Sequence, residues 1–246
     1  MISAHNISKS FDENQVLKQI SLEIPQGSTV SLIGPSGCGK STLLRIMIGL
    51  VKADTGSVRY NETEISESNI NSIRHNIGYV IQEGGLFPHL TNAQNIALAA
   101  NYLGWAASRI QERIEQLREL VNIESDILER QPEHISGGQR QRISLMRALM
   151  LDPEYILMDE PLGSIDPLVR YELQNDLKRI FRELNKTVVL VTHDLGEAAF
   201  LGDTIALMRA GKIIQRGDIK TIMEAPANRF VEEFITAQRS PLADLK

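Results

Sequence analysis

The stretch Thr29-Val-Ser-Leu-Ile33, followed by Gly34-Pro-Ser-Gly-Cys-Gly-Lys-Ser-Thr42, decides how the rest of the chain is read. A short apolar, β-branched run reads as a buried strand, and it stops where a G-x-x-x-x-G-K-[ST] loop begins. Leu43-Leu-Arg-Ile-Met-Ile48 continues with a helical pattern, so strand, loop and helix stand in the order this loop requires. Backbone N–H groups at the positive end of a helix attract a polyphosphate. Gly34, Gly37 and Gly39 let the backbone close round the anion where a Cβ would collide. Lys40 is placed to reach β/γ oxygens, and the Ser41 hydroxyl to take a Mg²⁺ position. Pro35, Ser36, Cys38 and Thr42 fill the remaining positions, Cys38 as a small filler rather than a redox switch.

Outward from this loop, short apolar runs alternate with longer helical patterns, the signature of an α/β protein. Thr29–Ile33, Ile77–Ile81, Tyr155–Met158 and Thr187–Val191 are nearly continuous in apolarity, which suits a mostly parallel sheet covered on both faces. Ile2–Ser10, Leu17–Ile24 and Gly56–Tyr60 are alternating and turn-bounded, and are expected in an antiparallel layer near the N-terminus. Residues 84–150 carry no convincing strand and read as an inserted α-helical subdomain. Within it Ile110, Ile114, Leu117 and Val121 recur at helical spacing, and Ser108-Arg-Ile-Gln111 has the form of a capping box. Asp166 is the natural N-cap of a helix over Pro167–Leu184. The expected organisation is one domain over 1–246. Its core comes from 1–83 and 151–220, and 221–246 form a short helical tail whose last ten residues are loosely attached.

Two further patterns carry chemistry. Tyr155-Ile-Leu-Met-Asp159-Glu160 ends an apolar strand in two carboxylates, at the edge where α/β proteins bind ligands. On its own such a pair is usually a solvated turn. Beside the phosphate loop it reads as a Mg²⁺ ligand, Asp159, and a general base for water, Glu160. Ile135-Ser-Gly-Gly-Gln-Arg-Gln-Arg142 stands at the mouth of a helix running to about Leu151, with Ser136 able to cap it.

Ser136-Gly137-Gly138-Gln139, some twenty residues before Asp159-Glu160, resembles the signature motif of ATP-binding cassette (ABC) ATPases. Other positions are similar to that family in the right order. Gln82 resembles the glutamine that senses Mg²⁺ and water, and His193 the switch histidine that contacts the γ-phosphate. Ser164-Ile-Asp166 resembles the loop that crosses to the partner subunit, and Phe11 the aromatic residue that stacks on adenine, where Tyr is commoner. Ile135 stands where Leu is usual, and Gly163-Ser164 where a Ser-Ala pair is frequent. The resemblance covers residue 2 to about 220. It implies ATP and Mg²⁺ as cofactors and a homodimer in which each signature serine faces the other subunit's phosphate loop.

Composition narrows the class. With 26 Lys+Arg against 31 Asp+Glu and a net charge of −5, the chain lacks the basic excess of a nucleic-acid binder. No run is long enough to span a bilayer, no signal peptide opens the chain, and a single cysteine excludes an internal disulfide. A cytoplasmic protein is expected. The interval from Lys40 to Asp159 carries no sustained heptads, unlike DNA-repair and chromosome-structure cassettes, and there is one cassette, not the two of translation factors. Glu160 and His193 together argue against a silent nucleotide sensor.

A transporter motor fits best, bound at the cytoplasmic side of the inner membrane to two separate permease subunits and served indirectly by an extracytoplasmic solute-binding protein. Gln82-Glu-Gly-Gly-Leu-Phe-Pro-His-Leu-Thr91, followed by Asn95, resembles importers, with Leu86, Phe87 and Pro88 as the groove for a permease helix. Leu103-Gly-Trp105 and Pro226-Ala-Asn-Arg-Phe-Val-Glu-Glu-Phe234 resemble the osmoprotectant group, which imports glycine betaine, choline, carnitine or related quaternary amines. Another small polar solute such as an amino acid is the alternative, and a soluble cassette outside transport a further one. The chain reaches Lys246 without the pair of CBS modules many osmoprotectant ATPases carry, so that control is expected to be absent or elsewhere.

Overall fold

Alternation of apolar and polar residues along the first sixty positions makes an antiparallel sheet, and continuous apolarity makes the buried strands that follow. The computed structural model describes residues 1–82, 84–163 and 165–238. Its elements begin with β1 (Ile2–Phe11), β2 (Asn14–Ile24), β3 (Thr29–Ile33), α1 (Lys40–Met47), β4 (Thr55–Tyr60) and β5 (Thr63–Glu64). There follow α2 (Ile70–His75), β6 (Ile77–Val80), α3 (Asn92–Tyr102), α4 (Ala107–Leu120), α5 (Gly137–Leu149), β7 (Tyr155–Asp159) and α6 (Pro167–Glu183). The chain closes with β8 (Thr187–Val191), α7 (Leu195–Leu201), β9 (Thr204–Arg209), β10 (Lys212–Gly217), α8 (Ile219–Glu224) and α9 (Arg229–Ala237). Of the tail expected over 221–246, residues 239–246 lie outside the described residues, among which no helix is long and apolar enough to cross a membrane.

The chain forms two compact units, residues 1–66 with 187–246, and residues 67–186. This division groups β6 and β7 with the helices, whereas the expected organisation set the helices of 84–150 apart from all strands. In the first unit, β2, β1, β4 and β5 lie side by side in an antiparallel sheet, with Ile2 opposite both Ile24 and Tyr60. A second sheet centres on β3, parallel to β8 on one side and to β9 on the other, with β10 antiparallel outside β9. Every residue of β3 and β8 is buried. The Tyr60 hydroxyl donates 3.0 Å to the Met47 carbonyl, which ties the end of α1 to β4.

The second unit pairs β6 with β7 in parallel, Val80 opposite Met158. Helix α5 packs against α3, α4, α6 and β6, burying Ile143, Leu145, Met146 and Leu149. Arg142 joins α5 to Asp176 of α6 and to the Val121 carbonyl. Asp166 caps α6 as expected, accepting 2.9 Å from the Leu168 N–H.

One expectation fails, and one hairpin went unread. The helix of Ile110 starts at Ala107, and its N-cap Ala106 makes no side-chain bond, so Ser108 and Gln111 form no capping box. Alanine is the strongest helix former and carries the helix one step upstream of the serine. Strands β9 and β10 were not anticipated, because their two-residue connection lacks the usual Asn-Gly or Asp-Gly signal. Ala210 (φ +48°) and Gly211 (φ +79°) both adopt left-handed backbone. A Cβ on Gly211 would lie 2.5 Å from the Val16 carbonyl oxygen. Gly211→Ala is therefore expected to destabilise the protein by about 1–3 kcal/mol, lowering the midpoint of thermal unfolding by several degrees, while Ala210→Gly is neutral or stabilising. Equal midpoints for Gly211→Ala and wild type would contradict the turn geometry.

Candidate functional site

In the first unit the phosphate loop is built by exclusion. Gly34 leaves β3 at φ +146°, and a Cβ there would sit 2.1 Å from the Met208 carbonyl oxygen of β9. Gly39, the N-cap of α1 at φ +106°, would press a Cβ to 2.6 Å from Leu17 Cδ2 of β2. The turn between β9 and β10 holds the same loop: the Gly211 N–H donates 3.2 Å to the Cys38 carbonyl, and the Lys18 N–H donates 2.8 Å to the Gly211 carbonyl. Gly37, by contrast, has nothing within 4 Å of where its Cβ would be. Pro35, Ser36 and Gly37 are exposed, and Ser41 and Thr42 half-buried. The loop is thus closed against protein on one side and open on the other.

Lys40 is only 5% exposed, and its ammonium donates 2.8 Å to the Gly34 carbonyl and 3.2 Å to that of Pro35. Burial pushes the Cys38 thiol above its ordinary pKa, with the Lys40 charge acting the other way, so Cys38 packs as a small apolar residue. A cation folded over a glycine cradle at a helix start suits a polyphosphate.

His193 comes next to this loop through strand order. Leu32 of β3 pairs with Val191 of β8, and the Thr192 N–H donates 3.1 Å to the Leu32 carbonyl. The imidazole-bearing residue then stands exposed at the edge where the loop begins. Phe11 is the last residue of β1, 46% exposed, with Lys9 Nζ 5.3 Å from its ring centre. It opens the hairpin whose second strand, β2, braces Gly39.

The second unit carries the remaining residues. The parallel register of β6 and β7 brings exposed Gln82 and the Asp159-Glu160 pair to the same strand ends. Asp159 is 3% exposed. Glu160 has φ +46°, a left-handed conformation that few non-glycine residues adopt and that marks stored strain. Ser136 and Gln139 form a reciprocal capping box at the start of α5, the Gln139 N–H donating 3.3 Å to Ser136 Oγ and the Ser136 N–H 2.9 Å to Gln139 Oε1. Gly137 faces open space up to Arg140 Nη2 at 3.8 Å, but a Cβ on Gly138 would meet Val169 Cγ1 at 2.3 Å. Glu83 and Ser164 lie outside the described residues.

The sequence missed what holds the segment after Gln82. Gly84 and Gly85 both have positive φ. Their carbonyls are clamped from α5: Arg147 donates 2.8 Å to each, and Ser144 Oγ donates 2.9 Å to Gly84. Adjacent glycines near a strand end are the signal that could have pointed to such a clamp. Fully buried Asn95 then fixes the loop at Phe87, accepting 2.7 Å from its N–H and donating 3.0 Å to its carbonyl, so that the ring remains 43% exposed.

Residues 17–163 match the ABC transporter family. The chain belongs to that family. It is 42% identical over 240 residues to the glycine betaine/carnitine/choline transport ATP-binding protein OpuCA of Bacillus subtilis, covering 97% of this chain and 63% of that protein. It is 43% identical over 234 residues to the glycine betaine uptake system ATP-binding protein YehX of Escherichia coli, covering 95% of this chain and 76% of that one. The chain therefore spans only part of the length of these relatives. The fold matches the dimeric structure of MJ0796, a bacterial ABC transporter cassette, with a TM-score of 0.82 and 31% identity over 89% of this chain and 99% of that one.

The two signature glycines should respond differently to a methyl group. Gly138→Ala must displace Val169 and is expected to destabilise the protein by about 1–3 kcal/mol. Gly137→Ala is expected to stay within about 0.5 kcal/mol of wild type or to gain stability from helix propensity. Chemical unfolding of the two variants checks this, and equal losses would contradict the packing of α5 on α6.

Proposed function

We propose that this chain is the ATP-hydrolysing motor subunit of a multi-subunit importer. The carrying observation is the loop after β3, a glycine cradle closed on one side by Met208 and Leu17 and crossed by the buried Lys40 ammonium. Nucleotide phosphates are held by the loop N–H groups from Gly34 to Thr42, and Lys40 exchanges its carbonyl partners for β/γ oxygens. Phe11 offers its exposed ring face to the adenine. The Ser41 hydroxyl of the first unit, and the Gln82 amide oxygen and Asp159 carboxylate of the second, are each oxygen donors of the kind that suits Mg²⁺. When bound, that ion neutralises and orients the phosphate oxygens.

Glu160 takes the proton of the attacking water, Gln82 senses that water, and His193 contacts the γ-phosphate. Ser136, Gly137, Gly138 and Gln139 address the nucleotide of a second copy of the chain, and Asp166 stands in the segment that crosses to it. Likeness to a cassette in a dimeric structure supports this arrangement. The segment 84–150 acts as the helical subdomain that carries the signature, and exposed Phe87 receives one of two permease subunits at the cytoplasmic face of the inner membrane. An extracytoplasmic binding protein presents the solute.

Glu160→Gln is expected to bind MgATP as tightly as wild type and to hydrolyse it about 100-fold more slowly, the scale of a lost general base. Turnover above half of normal in a coupled phosphate assay would remove Glu160 from that role.

The solute is inferred as a quaternary amine, supported by likeness to two subunits named for glycine betaine transport. Deleting this ATPase in a strain without other such systems should abolish saturable uptake of labelled glycine betaine, choline or carnitine, and Glu160→Gln should not restore it. Unchanged uptake of all three would overturn the solute assignment and leave the ATPase assignment standing.

A further inference from the structure

The segment around His193 is held from an element that the hydrolytic chemistry does not otherwise use. Helix α9 lies against the first unit through Val231 and Ile235, fully or nearly fully buried in one apolar cluster with Ile33, Leu195, Ala198 and Leu207. Ile33 is the last residue before the phosphate loop, and Leu195 follows His193 by two positions. Arg209 stacks 3.9 Å from the ring centre of Phe230, a second anchor for the same helix.

At its C-cap, α9 presents Gln238. The Gln238 side chain spans the turn after β8: Nε2 donates 3.0 Å to the His193 carbonyl, and Oε1 accepts 3.3 Å from the Leu195 N–H. Only this orientation of the carboxamide works, because a carbonyl can only accept and a backbone N–H can only donate. Leu195 opens α7, where an N–H has no intrahelical acceptor, so Gln238 supplies the partner that the helix cannot.

Further bonds hold the same turn from below. Thr192 Oγ1 donates 2.8 Å to Glu197, and Asp194 caps α7 through the Glu197 N–H at 2.8 Å. The side chain of His193 itself stays exposed. These bonds restrain the backbone that carries His193 and leave the residue exposed.

The geometry points to Gln238 as a positioning residue for His193, with α9 as the element that delivers it. The inference rests on the assignment of His193 as the γ-phosphate contact. Seating of α9 then sets how well the histidine is aimed, and anything that lifts the helix slackens the switch.

Steady-state hydrolysis by wild type, Gln238→Ala, His193→Ala and the double variant tests this. Losing a pair of hydrogen bonds to the turn should lower kcat of Gln238→Ala about 3- to 10-fold, with KM for ATP within about twofold of wild type. In the His193→Ala background, Gln238→Ala should cause no further loss, since both changes act on one group. Losses that multiply, or an unchanged kcat in Gln238→Ala beside an impaired His193→Ala, would overturn the proposal alone. A fully active His193→Ala would overturn it together with the assignment of His193.

A second measurement is independent of hydrolysis. Amide hydrogen exchange of the nucleotide-free protein should show Leu195 exchanging roughly tenfold faster in Gln238→Ala, while β8 exchanges as in wild type. Unchanged exchange at Leu195 would reject the clamp whatever the kinetics show.

Discussion

The structure depends first on a shortage of space. Between β3 and α1 the backbone passes so close to the Met208 carbonyl and to Leu17 that no side chain fits at Gly34 or Gly39. Removing the Cβ atoms is what lets a turn of successive N–H groups form at the start of a helix, and such a turn attracts an anion. The Lys40 ammonium donates to the loop's own carbonyls. An ammonium facing neutral carbonyls is less well compensated than one facing phosphate oxygens. The same packing that forbids side chains therefore favours a polyphosphate over water.

Around that loop, secondary structure supplies placement and little else. In the first unit, parallel pairing of β3 with β8 delivers His193 to the edge where the loop starts; in the second, parallel pairing of β6 with β7 brings Gln82 and the two carboxylates to one end of that pair. Side-chain clamps then remove the remaining freedom: Arg147 and Ser144 on the Gly84-Gly85 carbonyls, Asn95 on the backbone at Phe87, Gln238 on the turn at His193. Each acts on backbone and leaves the neighbouring functional side chain exposed. Residues proposed to contact ligand are thus held by residues outside that set.

What was legible in the sequence follows from how local each signal is. The strands β3, β7 and β8 and the caps at Ser136 and Asp166 are encoded within a few residues, and the fold places them as read. Strand β6 departs from its reading, ending at Val80 and only partly buried with Ile81 exposed beyond it, and Gly37 departs too, since no neighbour lies where its Cβ would be. The β9–β10 hairpin was not legible, because Ala210 adopts a left-handed turn with no local preference for it, stabilised by the neighbouring β2. The start of α4 was misread because helix propensity at Ala106-Ala107 outweighs a serine that can cap. Gln238 acts 45 residues from its partner, and no periodicity connects the two. The left-handed backbone of Glu160 is likewise invisible in a sequence where the strand simply ends in two carboxylates.

The central claim is that the Lys40 ammonium is held in place for the phosphates of a nucleotide. Titration calorimetry of ATP into wild type and Lys40→Ala, with unfolding curves for both, tests it most directly. Nucleotide affinity is expected to fall at least about tenfold in Lys40→Ala, the scale of one lost charge-assisted contact, while the folded state persists. An affinity unchanged within about threefold in a folded Lys40→Ala would contradict it.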